Sequence, residues 1–178
     1  MILETRAPSD CMASKLNAFC QLIREEGQVD LEGLEEQVRR AYALVFLFDR
    51  TDLIGTAAIK QPRLDYKRRV FEMGAVPEME EAYSFELGYV VVAKSHRNRK
   101  LSRQLVDAAI ESVPDVPLFA TSRSDRVAMH RTLERYNFRR VGQTYQSIEQ
   151  GAEVLLFVRD VAQQALGVDA ASLRSRRA

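Results

Sequence analysis

Apolar residues near the N-terminus are spaced as in amphipathic helices. One stripe with helical spacing predicts a helix that follows a Ser9-Asp10 cap and ends at Gly27. The members of this stripe are Met12, Leu16, Phe19 and Ile23. A second, shorter stripe predicts another helix that begins at Asp30 and includes Val38 and Ala41.

The apolar pattern then changes to that of strands. Residues 44–48 and 53–59 are short apolar runs separated by four polar residues, which predicts a hairpin. Residues 61–85 contain Pro62 and Pro77, and their apolar residues show no clear helical or strand period. We therefore expect an irregular segment there. Residues 87–92 form the most apolar run and predict a strand that is covered on both faces.

Helices and strands alternate through the second half of the chain. The pattern predicts helices over 101–113 and 129–136, a strand over 118–121 between them, and a closing hairpin of strands 144–148 and 154–158. Hairpins at both ends with strand–helix–strand units between them favour an α/β fold. We expect a mixed, mostly antiparallel sheet with helices on both faces.

Length and charge narrow the class of protein. A chain of 178 residues fits one core, so we expect a single domain over 1–166 and a basic, frayed tail over 167–178. The 26 basic and 25 acidic residues give a formal charge of +1, which argues against a nucleic-acid partner. No apolar run approaches the roughly 18 residues of a membrane span, and no secretory signal is evident. We therefore expect a cytoplasmic protein without membrane partners.

The cysteines and histidines predict neither a disulfide nor a metal centre. Cys11 and Cys20 both fall in the first predicted helix, where their separation of roughly 13 Å along the axis prevents pairing. His96 and His130 have no partners at ligand spacing. We expect all four residues to have packing or surface roles and the protein to hold no metal.

Residues 86–105 carry the candidate chemistry. A buried strand runs into a basic turn and directly into a helix, whose first N–H groups have no partner within the helix. Such a helix start binds anions, and the four surrounding cations favour a polyphosphate. These cations are Arg97, Arg99, Lys100 and Arg103. The alternative is a solvated helix start with no ligand.

This segment resembles the central motif of the GNAT superfamily of N-acetyltransferases, in which Arg or Gln precedes two small residues at fixed spacing. Arg97 matches the first position, Lys100 stands where the first Gly is expected, and Ser102 matches the second small position. Residues 129–142 are similar to the family's second motif, with Asn137 in place of a Gly that ends a helix. Together the two motifs extend the resemblance over about residues 44–158.

The resemblance implies a splayed pair of parallel central strands with acetyl-CoA in the split between them. The main chain of Val90, Val91 and Val92 would then hold the pantetheine arm. Six residues would wrap the pyrophosphate: Arg97, Asn98, Arg99, Lys100, Leu101 and Ser102. The side chain of Lys100 occupies space that a glycine would leave open to the diphosphate, which puts this interaction in question.

The resemblance also suggests catalytic roles. Glu86 begins the central strand and is the candidate base that takes a proton from the amine acceptor. A main-chain N–H around Val91 would stabilise the oxyanion. Leu133 stands where relatives often place a tyrosine acid, and Tyr136 and Tyr145 lie nearby in the sequence.

These observations predict a transferase that moves an acetyl group from acetyl-CoA to an amine by direct attack in a ternary complex. The alternative is a GNAT-fold module that binds acyl-CoA or a protein partner without turnover. The acceptor, a small-molecule or protein amine, and the oligomeric state, including a homodimer, are left open. An acidic tract just before the proposed site suggests a negative lip that attracts cationic amines, and the alternative is a solvated acidic loop. Its members are Glu72, Glu78, Glu80 and Glu81, together with Glu86 itself.

Overall fold

The computed structural model describes residues 1–25, 33–147 and 151–161. The strands are β1 (Ile2–Arg6), β2 (Ala43–Asp49), β3 (Asp52–Lys60), β4 (Phe85–Val92), β5 (Leu118–Arg123), β6 (Arg139–Ser147) and β7 (Ala152–Arg159). The helices are α1 (Ala13–Glu25), α2 (Leu34–Arg39), α3 (Leu64–Met73), α4 (Leu101–Glu111) and α5 (Val127–Arg135). None of the helices in these ranges has the length and apolar character that a membrane span requires.

The described strands form one sheet in the order β1-β2-β3-β4-β5-β7-β6. Neighbouring strands are antiparallel except for the central β4 and β5, which are parallel. The register of β4 and β5 comprises Phe85 opposite Leu118 and Glu86 opposite Phe119, and the strands separate beyond these pairs. The predicted mixed, mostly antiparallel sheet with a splayed parallel pair is confirmed.

Helices pack against both faces of the sheet. On one face, α4 and α5 pack through residues such as Leu105 and Leu133 against Val45, Ile59 and Leu87. On the other face, Phe19 of α1 belongs to a separate cluster, and α3 packs over β5, β6 and β7. The predicted helices on both faces are therefore present, and the sheet is the middle layer.

Two elements contradict the sequence analysis. β1 was not predicted because it is an edge strand whose side chains show no alternation of exposed and buried positions. α3 lies in the segment that we expected to be irregular. Val70 and Phe71 are its two buried residues, so the helix lacks the wide apolar stripe on which sequence periodicity depends.

The N-terminal helix also begins later than predicted. Met12 precedes α1 and is 76% exposed, so it is not part of the buried stripe. Cys11 likewise lies before α1, which corrects the placement of both cysteines in one helix, although both are free thiols as expected.

Some predictions fall outside the described residues. They concern the end of the first helix at Gly27, the start of the second helix at Asp30, residues 148–150 of the closing hairpin and the tail over 167–178.

β6 begins at Arg139, five residues before the predicted start, and contains an irregularity between Val141 and Tyr145. Gly142 has a φ of 64°, and a Cβ there would lie 2.0 Å from the carbonyl oxygen of Gly74. The same oxygen accepts a hydrogen bond of 2.9 Å from the Gln143 N–H. This close approach holds the end of α3 against the sheet, so a glycine is required at position 142.

Candidate active site

A cavity of about 900 Å³ lies where β4 and β5 separate. Its walls include β4 from Glu86 to Val92, the second half of β5 from Ala120 to Arg123, and the start of α4. The face of α3 that carries Tyr66 and Arg69 closes the end near Glu86. One cavity therefore contains both the predicted base and the predicted anion-binding turn.

A bulge in β4 shapes the middle of the cavity. The β3–β4 register shifts between Thr56 and Ala58, and Tyr89 adopts a left-handed φ of 52°. The Thr56 hydroxyl donates to the Tyr89 carbonyl at 3.0 Å, and the Tyr89 hydroxyl donates to Gln37 Oε1 at 2.7 Å. Burial raises the pKa of the Tyr89 phenol above its usual value. These bonds hold a conformation that is unfavourable for a residue with a side chain.

The direction of the β4 main chain corrects one expected role. The Ala93 N–H donates to the Ile54 carbonyl on β3 at 2.9 Å. Because main-chain groups of successive residues alternate between the two edges of a strand, Val91 also directs its N–H toward β3. Val90 and Val92 direct theirs toward the split. Hence Val90 and Val92, rather than Val91, offer main-chain groups to a ligand there.

The turn after β4 ends in two residues with left-handed backbone. A short 3-10 helix, Lys94–His96, is followed by Asn98 with φ 62° and Lys100 with φ 60°, after which α4 begins at Leu101. No side chain caps the first N–H groups of α4. The helix start is thus accessible to an anion, and anion binding there stays a prediction.

Most of the residues predicted to wrap a pyrophosphate line this end of the cavity. Lining residues are Arg97, Asn98, Lys100, Leu101 and Ser102, together with Arg103. The Arg97 Nε also donates to the Val92 carbonyl at 3.2 Å, which joins the turn to the splayed strand. Arg99 is exposed and is not among the lining residues, so the structure does not bring it together with the others.

Glu86 lies at the opposite end of β4 and is only 2% exposed. Its Oε2 accepts a hydrogen bond and ion pair from Lys60 Nζ at 2.7 Å, and its Oε1 accepts bonds of 3.3 Å from the Tyr66 and Thr121 hydroxyls. These three donors offset the cost of burying a carboxylate. Glu86 is therefore a buried residue of the cavity and does not lie at an exposed strand end.

Lys60 reaches Glu86 across the two strands because residue 88 is a glycine. Lys60 and Glu86 are directly opposite in the β3–β4 register. A Cβ at Gly88 would lie 2.7 Å from Lys60 Cδ, so a larger residue would displace the lysine stem. Lys60 Nζ also lies 5.3 Å and 5.0 Å from the ring centroids of Tyr66 and Tyr89, which adds cation–π contacts.

The tyrosines near the second motif have other partners. Leu133 lines the cavity at the place where the resemblance suggests a tyrosine. The Tyr136 hydroxyl donates to the Arg103 carbonyl at 3.0 Å, and burial raises its pKa. Tyr145 packs in the cluster with Phe71 and Phe119. Neither tyrosine is among the residues that line the cavity.

The acidic tract does not form a negative lip. Glu72, Glu78, Glu80 and Glu81 are absent from the described lining, and Glu80 pairs with Lys67 at 3.2 Å. Among the described residues that line the cavity, ten are Lys or Arg and two, Asp65 and Glu86, are acidic. The basic residues are Arg40, Lys60, Arg63, Arg69, Arg97, Lys100, Arg103, Arg123, Arg126 and Arg131. The cavity is therefore strongly cationic.

Sequence reasoning missed the partners of Glu86. Lys60 directly follows the predicted hairpin and ends the observed β3, and Tyr66 lies in the segment that was expected to be irregular, so neither carried a recognisable motif. Thr121 ends the strand predicted over 118–121. Because side chains alternate along a strand, Thr121 lies on the same face as Phe119, and this alternation was the one sequence signal for its position. In the described parts of the chain, no group of three or more His, Cys, Asp or Glu residues is arranged to hold a metal ion.

Solved structures with the same architecture have been found, whereas no protein-family model and no curated sequence matches the chain. An acyl-CoA N-acyltransferase from Pseudomonas aeruginosa is 17% identical with a TM-score of 0.65, over 89% of this chain and 98% of that one. Salmonella typhimurium yncA, a putative acetyltransferase with its cofactor acetyl-CoA, is 14% identical with a TM-score of 0.62, over 93% and 96%.

Arabidopsis thaliana NAA60 in complex with acetyl-CoA is 14% identical with a TM-score of 0.65, over 90% of this chain and 100% of that one. At these identities the likeness concerns the fold. The chain has the GNAT fold, as the resemblance implied.

Proposed function

We propose that the protein is an N-acetyltransferase that transfers an acetyl group from acetyl-CoA to an amine. The observation that carries this proposal is a single cavity in which a splayed strand leads from a buried carboxylate, Glu86, to the open start of α4. A carboxylate and an anion site at opposite ends of one strand suit a reaction that joins a phosphorylated donor to an amine. The acetyl-CoA in two of the similar structures supports the same donor here.

The donor would lie along the second half of β4. The main-chain groups of Val90 and Val92 face the split and can bond the amides of the pantetheine arm, as an additional strand would. The pyrophosphate would meet the N–H groups of Leu101 and Ser102 with Arg97, Asn98 and Lys100 around them. The residues present thus fit a diphosphate, with charge from Lys100 where a glycine would give closer access.

The chemical step requires a neutral amine. At pH 7 only about four in ten thousand alkyl amines are unprotonated, because the pKa of the ammonium is near 10.4. Glu86 accepts the proton, and the Tyr66 hydroxyl at 3.3 Å can relay it, since Tyr66 also lines the cavity. The amine nitrogen then attacks the thioester carbon, the C–N bond forms and the C–S bond breaks. The second proton of the attacking nitrogen passes to the departing sulfur, so coenzyme A leaves as the thiol.

The oxyanion of the tetrahedral intermediate needs a donor close to the thioester. Main-chain N–H groups of Val90 and Val92 are candidates, because both face the split beside the β4 bulge. In this scheme the attack occurs in a ternary complex, with the donor at one end of the cavity and the acceptor at the other.

Two measurements test the proposal. Calorimetry at low salt should detect acetyl-CoA binding, and release of coenzyme A thiol should depend on an added amine. Absence of binding at millimolar acetyl-CoA would contradict the proposal. Binding without thiol release for any amine in a broad screen would favour the alternative module that binds acyl-CoA without turnover.

A further inference from the structure

Lys60 places an amine of the protein itself beside the proposed base. Lys60 lines the cavity, and 14% of its side chain is exposed. Its Nζ donates a hydrogen bond to Glu86 Oε2 at 2.7 Å. A carboxylate at this distance is within reach of a proton on that nitrogen. The arrangement that an amine acceptor requires is therefore already present between two side chains of the chain.

The Lys60 side chain lies along β4 toward the bulge. A Cβ built on Gly88 would lie 3.7 Å from Lys60 Nζ, and the centroid of the Tyr89 ring lies 5.0 Å from it. Successive residues of a strand advance about 3.3 Å, so this amine lies roughly two residues from Val90, whose main chain faces the split. A pantetheine arm held there would bring the thioester to the part of the cavity that contains Nζ.

The other lysines lack this combination of a base and the donor cavity. The chain has five lysines, all of which fall within the described ranges. Lys15 and Lys67 pair with carboxylates at 2.6 Å and 3.2 Å, but neither lines the cavity. Lys100 lines the cavity at its other end, at the start of α4, and Lys94 is exposed outside the lining. Lys60 is therefore the lysine that is placed for acetylation.

We infer that Lys60 is itself an acetylation site, which is modified by acetyl-CoA bound in the same cavity. This inference rests on the proposed donor site and base. Glu86 takes one proton from the Lys60 ammonium, and the neutral Nζ attacks the thioester carbon. The C–N bond forms, the C–S bond breaks, and the second proton of the attacking nitrogen passes to the sulfur. The products are an acetamide on Lys60 and the thiol of coenzyme A.

Acetylation changes the acceptor end of the cavity. The ion pair with Glu86 and the cation–π contacts with Tyr66 and Tyr89 depend on the ammonium of Lys60, and acetylation removes its charge. The acetamide also remains beside Glu86, where a free amine has to approach. Lys60 and a free acceptor therefore compete for the same acetyl group.

The test is peptide mapping by mass spectrometry after incubation with acetyl-CoA and no added amine. We expect Lys60 to gain an acetyl group at least about tenfold faster than Lys67, because Lys60 lies beside the bound thioester and Lys67 does not. Lys67 is the matched control, since it pairs with Glu80 and 13% of its side chain is exposed. Equal labelling of the two, or faster labelling of the exposed Lys94, would indicate reaction with acetyl-CoA from solution and overturn the inference.

The dependence on protein concentration tests whether the reaction occurs within one molecule. We expect the first-order rate constant for Lys60 labelling at saturating acetyl-CoA to be independent of protein concentration. A rate constant that rises in proportion to protein concentration would mean that one molecule modifies another. That result would overturn acetylation by donor bound in the same cavity.

Variants test the roles of the two residues. Glu86→Gln should slow the acetylation of Lys60 by about 10², because the proton acceptor is lost while the side chain keeps its shape. Lys60→Arg retains a cation for Glu86 but offers no primary amine, so the intact mass should show little acetyl label. Labelling of Lys60 at the original rate in Glu86→Gln, or undiminished total label in Lys60→Arg, would overturn the inference.

Calorimetry with acetyl-CoA and a screen of free amines separate this inference from the proposed function. Thiol release with a free amine and no label on Lys60 would overturn the inference and leave acetyl transfer in place. Label on Lys60 without reaction of any free amine would support the inference and contradict transfer to an external acceptor. Absence of both acetyl-CoA binding and label would overturn both.

Discussion

The two ends of β4 hold their charged groups in opposite ways. At its start, Glu86 is buried and each carboxylate oxygen has a protein donor from β3, α3 or β5. Beyond its end, Arg97, Asn98 and Lys100 are exposed on a turn that leads into an uncapped helix. Under the proposed function, the group that meets the reacting atoms is positioned by tertiary contacts, whereas the groups that bind a solvated phosphate stay accessible to it.

The largest expected effect is at the buried end. Glu86→Gln keeps the shape of the side chain but removes the proton acceptor, so turnover at pH 7 should fall by about 10² or more. Cofactor affinity should change little, because Glu86 lies at the opposite end of the cavity from the α4 start. Raising the pH should restore part of the rate as more amine becomes neutral, which is measured from pH 6 to 9.

A damaged fold would not be repaired by pH, so the pH profile serves as the control for Glu86→Gln. Turnover equal to that of the original protein across this range would refute Glu86 as the base. Glu81, a carboxylate of the nearby acidic tract, would be a poor substitute because it is not among the described lining residues.

The second prediction concerns stability at the same end. Lys60→Met leaves the Glu86 carboxylate without its counter-charge and should destabilise the protein by about 3 kcal/mol in urea unfolding. This loss of stability is at the low end of the range for a buried ion pair, because 14% of the Lys60 side chain is exposed to solvent. The double variant Lys60→Met/Glu86→Gln should lose less than the sum of the two single changes. Strict additivity would mean that the pair is not coupled.

At the exposed end, Arg97→Ala should weaken acetyl-CoA binding about tenfold, since a charge-assisted hydrogen bond typically contributes about 1.5–3 kcal/mol. Arg99→Ala provides the comparison, because Arg99 carries the same charge in the same turn without lining the cavity. For Arg99→Ala we expect acetyl-CoA affinity to change by about twofold or less, as is typical when an exposed charge is removed. Equal losses measured by calorimetry would show that the sequence was right to group the two arginines.

The smallest expected effect is at Lys100. Its φ of 60° is a conformation that glycine adopts without strain, so Lys100→Gly should be tolerated and should raise stability by up to about 1 kcal/mol. Acetyl-CoA affinity should be unchanged or higher, because the side chain no longer occupies space beside the helix start. Loss of binding in calorimetry would instead make Lys100 a ligand of the phosphate and refute the steric argument.

Features that depend on contiguous residues were predictable from the sequence. The strand, turn and helix around Arg97 and Ser102 follow one another along the chain, so their apolar periods and basic residues were enough to predict an anion site. The β2–β3 hairpin was predictable for the same reason. Glu86 could be selected because a single carboxylate enters an otherwise apolar strand.

Tertiary structure decided the surroundings of Glu86 and the charge of the cavity end beside it. Lys60, Tyr66 and Thr121 are 26, 20 and 35 residues away from Glu86 in the sequence and meet it only when β3, α3 and β5 surround β4. The acidic tract is close to Glu86 along the chain, yet Glu80 pairs with Lys67 while Arg63 and Arg69 face the cavity. Proximity in sequence does not fix which face of a helix is presented to a site; the packing of Val70 and Phe71 against the sheet determines it here.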